Sequence, residues 1–260
     1  MPLYKTETGA GPTVVILHGL FGSSRNWGGI AQAMAGEARM VSFDLPNHGA
    51  SPWVESMTYP AMAAAVAEEI AALGAPVTVL GHSMGGKVAM CLALTRPDLV
   101  ARLMVIDIAP VPYRHGYSSL ISALLAAPVA GATRRSEIDA ALAGSIPDPA
   151  LRGFLLQNLE RGEDGYRWRP NLAGLDRAMA DILDFPVFAE GTRYQGPVRV
   201  LAGARSDYVR DNGRAAIARL FPRARIENVD GAGHWLHAER PDVVMSALRG
   251  LLAETESASS

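Results

Sequence analysis

A serine framed by glycines, in Gly81-His82-Ser83-Met84-Gly85-Gly86, carries the strongest chemical signal in the chain. The run follows an aliphatic stretch, Val77 to Leu80, and opens an Ala-rich segment of helical period, so Ser83 falls on a predicted strand-to-helix turn. At a turn that sharp the backbone is strained, and strand and helix come so close that side chains at Gly81 and Gly85 would clash. The strain projects the Ser83 hydroxyl outward at the amino end of a helix, whose dipole and free N–H groups favour a developing oxyanion. The chemistry of such a site is nucleophilic attack on an acyl carbonyl.

An unassisted serine is a poor nucleophile and needs a general base within hydrogen-bond reach, for which histidine has the suitable pKa. Of the 6 histidines, His234 lies in Gly231-Ala232-Gly233-His234-Trp235, a loop between the last predicted strand and the last helix, and is the expected base. His237 follows three residues later without a preceding glycine turn and reads as a helix-start or surface residue. His18 and His48, each before a glycine, are expected to make structural loop hydrogen bonds. His82 flanks the nucleophile, and His115 lies near the start of a long insertion.

A carboxylate must orient the base and stabilise its cationic form. Two aspartates qualify. Asp207 follows the predicted strand Val198 to Leu201, and Asp107 ends the preceding strand in Val105-Ile106-Asp107-Ile108-Ala109-Pro110. Either strand end can place a carboxylate beside the same imidazole. Donors for the oxyanion are expected from the loop Leu17-His18-Gly19-Leu20-Phe21-Gly22-Ser23: the backbone N–H of Leu20, or failing that of Phe21, acting with that of Met84. The run from Asp44 to Ser51 reads as architectural, its Asp44 and Ser51 satisfying loop hydrogen bonds.

These residues have to be held by a scaffold. Short apolar runs, Val14 to Leu17, Met40 to Phe43, Val77 to Leu80, Leu103 to Ile106, Val198 to Leu201 and Arg225 to Val229, alternate with helical stretches. The helices are expected over Asn26 to Ala35, Pro60 to Leu73, Met84 to Leu94, Gly213 to Leu220 and Pro241 to Leu252. The pattern is that of an α/β protein with a mostly parallel central sheet flanked by helices and buried on both faces. From about Val111 to Gly196 the alternation stops. Amphipathic pieces at Tyr117 to Ala127, Ser136 to Ala143, Leu151 to Glu160 and Leu175 to Phe185 predict a helical cap over residues 111–196, set into a core of residues 1–110 and 197–253. Residues 254–260 read as a disordered tail.

The composition narrows the partners. A chain of 260 residues buries enough surface for one such domain without cross-links. Its net charge of -2 and lack of a basic run argue against nucleic acid or an anionic membrane as partner. The lone Cys91 lies in an apolar stretch and reads as an inert thiol, which fits a reducing compartment. The amino terminus has no export signal and no apolar run reaches a bilayer's span, so a cytoplasmic location is expected.

Taken together, LHGLFGS, FDLPNHGAS, GHSMGG and GAGHW resemble the α/β-hydrolase superfamily along nearly the whole chain. LHGLFGSSRNW, VIDIAPVPY and AGHWLHAERP resemble its small YbfF-like esterases, a group associated with short acyl esters and acyl-CoA thioesters. The resemblance implies an α/β-hydrolase fold with a compact helical cap, a small-molecule ester or thioester substrate, and no cofactor. In such relatives the aspartate matching Asp107 is a triad candidate and the position of Asp207 need not be acidic. Enol-lactonases, carbon–carbon bond hydrolases and cofactor-free haloperoxidases keep the serine on this scaffold, and a non-catalytic ligand-binding protein is the reading from a different class.

Overall fold

The computed structural model describes residues 2–114 and 117–254. His115 and the tail residues 255–260 lie outside them. The described strands in chain order are β1 (Lys5–Thr8), β2 (Thr13–Leu17), β3 (Arg39–Phe43), β4 (Val77–His82), β5 (Val100–Ile106), β6 (Leu159–Gly162), β7 (Gly165–Trp168), β8 (Val198–Gly203) and β9 (Ala224–Val229). Seven of them form one sheet in the order β1-β3-β2-β4-β5-β8-β9, parallel throughout except for the edge strand β1. The interior strands are apolar without alternation because helices cover both faces; every residue of β4 is buried.

The helices are α1 (Gly28–Met34), α2 (Tyr59–Leu73) and α3 (Met84–Thr95), then α4 (Ser118–Ala126), α5 (Arg135–Leu142), α6 (Pro149–Leu156), α7 (Leu172–Arg177) and α8 (Met179–Leu183), then α9 (Asp211–Leu220), α10 (Leu236–Glu239) and α11 (Pro241–Ala253). Successive strand residues face opposite sides. Val15, Leu17, Val41 and Phe43 join Met62, Val66 and Ile70 of α2 in one core. Val14, Ile16, Met40 and Met104 join Ile30 and Met34 of α1 and Val244 and Leu248 of α11 in the other. Thr58 caps α2, its hydroxyl accepting the Ala61 N–H, and Pro241 opens α11 where a missing N–H is harmless.

Two details of the insertion between β5 and β8 differ from the sequence expectation. The helix expected over Leu151 to Glu160 stops at Leu156. The chain then turns into the antiparallel hairpin β6-β7, paired from Leu159 with Trp168 to Gly162 with Gly165. Asn158 ends the helix: its side-chain amide donates to the Phe21 carbonyl at 2.7 Å and its own carbonyl accepts the Arg169 N–H. The stretch Leu175 to Phe185 is two short helices divided at Ala178. The segment is anchored to the core through the Tyr59 hydroxyl on the Ile182 carbonyl (2.6 Å) and the Asn171 N–H on the Asn47 carbonyl (2.9 Å). Among the described residues no helix is long and apolar enough to cross a membrane.

Candidate active site

Ser83 caps α3 at φ 50°, ψ −121°, a backbone state that non-glycine residues rarely adopt. Close approach on both sides holds it there. A Cβ at Gly81 would lie 2.3 Å from the Gly85 carbonyl oxygen, and one at Gly85 would lie 2.3 Å from that of Leu17. The strained serine is thereby turned toward the loop after β9. Its Oγ is 3.0 Å from His234 Nε2, and His234 Nδ1 is 2.7 Å from Asp107 Oδ2. A carboxylate can only accept, so Nδ1 carries the proton and Nε2 is left as acceptor for the serine hydroxyl.

The topology explains this meeting. Ser83 follows β4, Asp107 follows β5 and His234 follows β9, all at one end of the parallel strands of a single sheet, where α/β sheets present their reactive groups. Asp107 also has a positive φ of 50°, and its carboxylate is fully buried. Burial of a charge is tolerated when it is hydrogen-bonded. Oδ1 accepts the Gly203 N–H at 2.8 Å, and Oδ2 accepts the Ser206 hydroxyl as well as His234. Asp207, the other aspartate expected from sequence, is not at the imidazole. Its side chain is 76% exposed and pairs with Arg210 at 2.6 Å. The β8 loop turns so that Ser206 faces inward and Asp207 faces solvent.

The loop after β2 runs past Ser83, and a Cβ at Gly19 would come within 3.2 Å of the Ser83 Cβ. Two buried histidines hold this loop. His18 Nε2 accepts the Leu45 N–H at 2.9 Å, and His48 Nε2 accepts the Phe21 N–H at 3.2 Å. Burial lowers both pKa values, that of His48 to about 3, so both rings stay neutral and able to accept. The Phe21 N–H is thus committed to His48 and is not available as an oxyanion donor. The N–H groups of Leu20 and Met84 have no acceptor among the described residues. Asp44 accepts the N–H groups of Ser24 (2.6 Å) and Ala50 (2.8 Å), and the Ser51 hydroxyl donates to the Asp44 carbonyl at 2.5 Å, which ties down the next loop.

His82 and His237 complete the ring cluster. His82 Nε2 donates to the His234 carbonyl at 2.8 Å, and burial holds its pKa well below the usual histidine value. His237 falls at the start of α10, the helix-start position expected from sequence, and is half-buried rather than exposed. Its ring stacks on Trp27 at 4.7 Å, and burial brings its pKa to about 4. Both stay neutral near pH 7. Ser83 and His234 open onto a cavity of about 370 Å³ walled by Trp27, Leu151, Phe154 and Trp235. A smaller space of about 30 Å³ on another side of Ser83 reaches Lys87 and Tyr113. Sequence reasoning missed Ser206, Tyr208 and Lys87. Ser206 and Tyr208 lie in a loop read for its aspartate alone, and Lys87 is one turn along α3 from Ser83 in a run read for its glycines. No group of three or more His, Cys, Asp or Glu among the described residues is placed to hold a metal ion.

A strained serine at a strand-to-helix elbow, on a mostly parallel sheet with a histidine after its last strand, defines a class of fold. The family model described as alpha/beta hydrolase fold matches residues 12–241, and the chain belongs to that family. It is similar to the sn-1-specific diacylglycerol lipase ABHD11 of Xenopus laevis, at 40% identity over 92% of this chain and 78% of the relative. It is also similar to esterase YbfF of Escherichia coli, at 34% identity over 92% of each chain. Among solved structures, that of a marine microorganism esterase superposes with a TM-score of 0.92 at 35% identity, covering 96% of this chain and 99% of that one. These relationships define the protein as a hydrolase.

Proposed function

We propose that the protein is a serine esterase that cleaves carboxylic esters or acyl thioesters of small molecules by double displacement. The observation that carries this reading is the continuous line of hydrogen bonds from Ser83 Oγ through the His234 imidazole to Asp107. In the first half-reaction Ser83 attacks the acyl carbonyl while His234 Nε2 takes the hydroxyl proton, and Asp107 stabilises the resulting imidazolium. The carbonyl oxygen gains negative charge between the N–H groups of Leu20 and Met84, the latter at the start of the 12-residue α3. His234 then returns the proton to the leaving alcohol or thiol. In the second half-reaction water enters, His234 again acts as base, and the acyl-enzyme releases a carboxylic acid.

The apolar walls of the larger cavity suit a hydrocarbon-bearing substrate, and the relatives named esterase and lipase support an ester bond as the target. Residues 111–196 act in this reading as a cap that closes over the site and sets the size of the substrate. A cytoplasmic location fits the single cysteine, Cys91, whose buried thiol has its pKa raised to about 12 and stays protonated.

Turnover of p-nitrophenyl esters and acyl-CoAs across chain lengths tests the reading, together with labelling by a fluorophosphonate. Wild-type protein is expected to turn over at least one series and to be labelled at Ser83. Ser83→Ala should lose on the order of 10⁶ in kcat with its thermal unfolding unchanged. Protein that is inert to every ester and thioester and unlabelled by the probe would be a ligand binder on a hydrolase scaffold.

A further inference from the structure

We propose that His237 recognises the leaving group of the substrate: its Nε2–H is a donor held in the larger cavity for an acceptor oxygen a few bonds beyond the scissile ester or thioester. The substrate class is a short acyl group carried by an alcohol or thiol that has an ether, ester or amide oxygen of its own. This rests on the serine esterase reading given above.

Which part of the substrate goes where follows from the place of His234. The imidazole returns its proton to the leaving oxygen or sulfur, so that atom must come within hydrogen-bond reach of Nε2. His234 walls the larger cavity together with His82, Trp235 and His237. The smaller space is walled by Met84, Lys87, Tyr113 and Tyr208, with no histidine among its described residues. The Tyr208 ring also stacks on His234 at 4.1 Å and 26°, which screens the imidazole on that side. The leaving group therefore takes the larger cavity. The acyl chain takes the smaller, whose volume of about 30 Å³ holds about two or three non-hydrogen atoms.

Four histidines wall the larger cavity, and three have their protons committed. His18 Nδ1–H donates to the Gly19 carbonyl at 2.8 Å, His82 Nε2–H to the His234 carbonyl at 2.8 Å, and His234 Nδ1–H to Asp107. His237 is the exception. Burial keeps its ring neutral near pH 7, so it holds one proton. Its Nδ1 is buried without a hydrogen-bond partner among the described residues. A buried N–H with no acceptor is the rarer and costlier of the two ways to leave that nitrogen, so the proton sits on Nε2, which keeps access to the cavity.

The donor is also held still. Trp27 stacks on the ring at 4.7 Å and 18°, and His82 flanks it at 4.7 Å. Helix α10 is tied to the loop of the base, because the Glu239 carboxylate accepts the Gly233 N–H at 2.8 Å. His237 and His234 thus keep a fixed spacing. An apolar leaving group would strip water from this N–H and give nothing in return, whereas an acceptor oxygen restores the bond.

The test compares two acetates of one shape, ethoxyethyl acetate and pentyl acetate, which differ by an ether oxygen in place of a methylene. Ethylene glycol diacetate and S-acetyl-N-acetylcysteamine carry the ester and amide oxygens, on an alcohol and on a thiol. Wild type is expected to prefer the ethoxyethyl ester over the pentyl ester by on the order of tenfold in kcat/KM, mostly through KM. His237→Phe keeps a ring against Trp27 without the donor and should bring the two esters within about twofold. His237→Gln places its amide N–H near the position of Nε2 and should keep the preference, whereas His237→Asn reaches only to the position of Nδ1 and should lose it. Ethoxyethyl hexanoate should be turned over more slowly than the acetate. A wild type that treats the two acetates alike overturns the proposal, and that comparison needs no variant to fold. A preference that survives in His237→Phe, or faster turnover of the hexanoate, overturns it as well. Fluorophosphonate labelling of Ser83 separates the two readings: labelled enzyme without the ether preference removes the role of His237 alone, and unlabelled enzyme inert to every ester removes the esterase reading beneath it.

Discussion

Asp107 and Asp207 are chemically equal in sequence, and the difference between them lies in which way two loops turn. Asp107 sits fully buried at φ 50° with three donors on its carboxylate, whereas Asp207 is largely exposed and shares its charge with Arg210. Asp107→Asn should leave the imidazole misoriented or in the wrong tautomer and lower kcat by about 10³–10⁴. Asp207→Asn removes half of a surface ion pair worth about 0–1 kcal/mol and should keep kcat within about twofold of wild type. Steady-state kinetics on the two variants decides between them; equal losses would contradict the geometry. A second expectation concerns pH. His237, with a pKa of about 4, is already neutral above about pH 5, and burial holds the His82 pKa well below the usual histidine value. The acid limb of kcat/KM should therefore fall with a slope of one proton, and His237→Gln should leave that slope unchanged.

The elements that deliver these residues differ in how plainly their sequences announce them. The elbow was legible because its glycines answer a steric demand that few other residues meet, and the six expected strands lie at β2, β3, β4, β5, β8 and β9. That demand has a measurable size. Gly85→Ala drives a Cβ onto the Leu17 and His18 carbonyl oxygens, at 2.3 and 2.5 Å, and should destabilise the fold by at least about 3 kcal/mol in denaturant unfolding. Gly153→Ala in α6 meets nothing within 4 Å and should stabilise by up to about 1 kcal/mol. The hairpin β6-β7 escaped the periodicity argument because each of its strands has four residues, too few to tell alternation from a helical face. The edge strand β1, KTET, has no apolar run at all and gains its place by pairing with β3. His237 sits at the start of α10 as its sequence suggested, but its stacking on Trp27, 210 positions away in sequence, is encoded by no local pattern.

At the scale of the whole molecule, the helix that begins after Ser83 also grips the inserted segment. Lys87, 1% exposed, donates to the Leu183 and Asp184 carbonyls at 3.1 and 2.7 Å, with its ammonium 4.7 Å from the centre of the Tyr113 ring. Burial lowers its pKa from 10.5 to about 7, partly opposed by Asp184. In the unfolded chain the amine is an ordinary lysine that stays protonated to about pH 10. Between about pH 7 and pH 10 the unfolded state therefore binds more protons at this site than the folded state, and stability must rise with pH across that window. Lys87→Met abolishes the titration while keeping most of the volume, and it leaves the two carbonyls without their donor. The variant should be less stable than wild type by about 1–3 kcal/mol at pH 7. The gap should widen as the pH is raised from 7 toward 10, because the wild type alone gains from losing its buried charge. Urea unfolding of both proteins at pH 6.5, 8 and 9.5 measures it, and a gap that is constant or narrows over that range would mean that Lys87 remains charged in the folded protein. If the insertion depends on this grip, weakening it should also loosen the approach to Ser83. Lys87→Met is then expected to raise KM more than it lowers kcat on the bulkiest ester the wild type accepts.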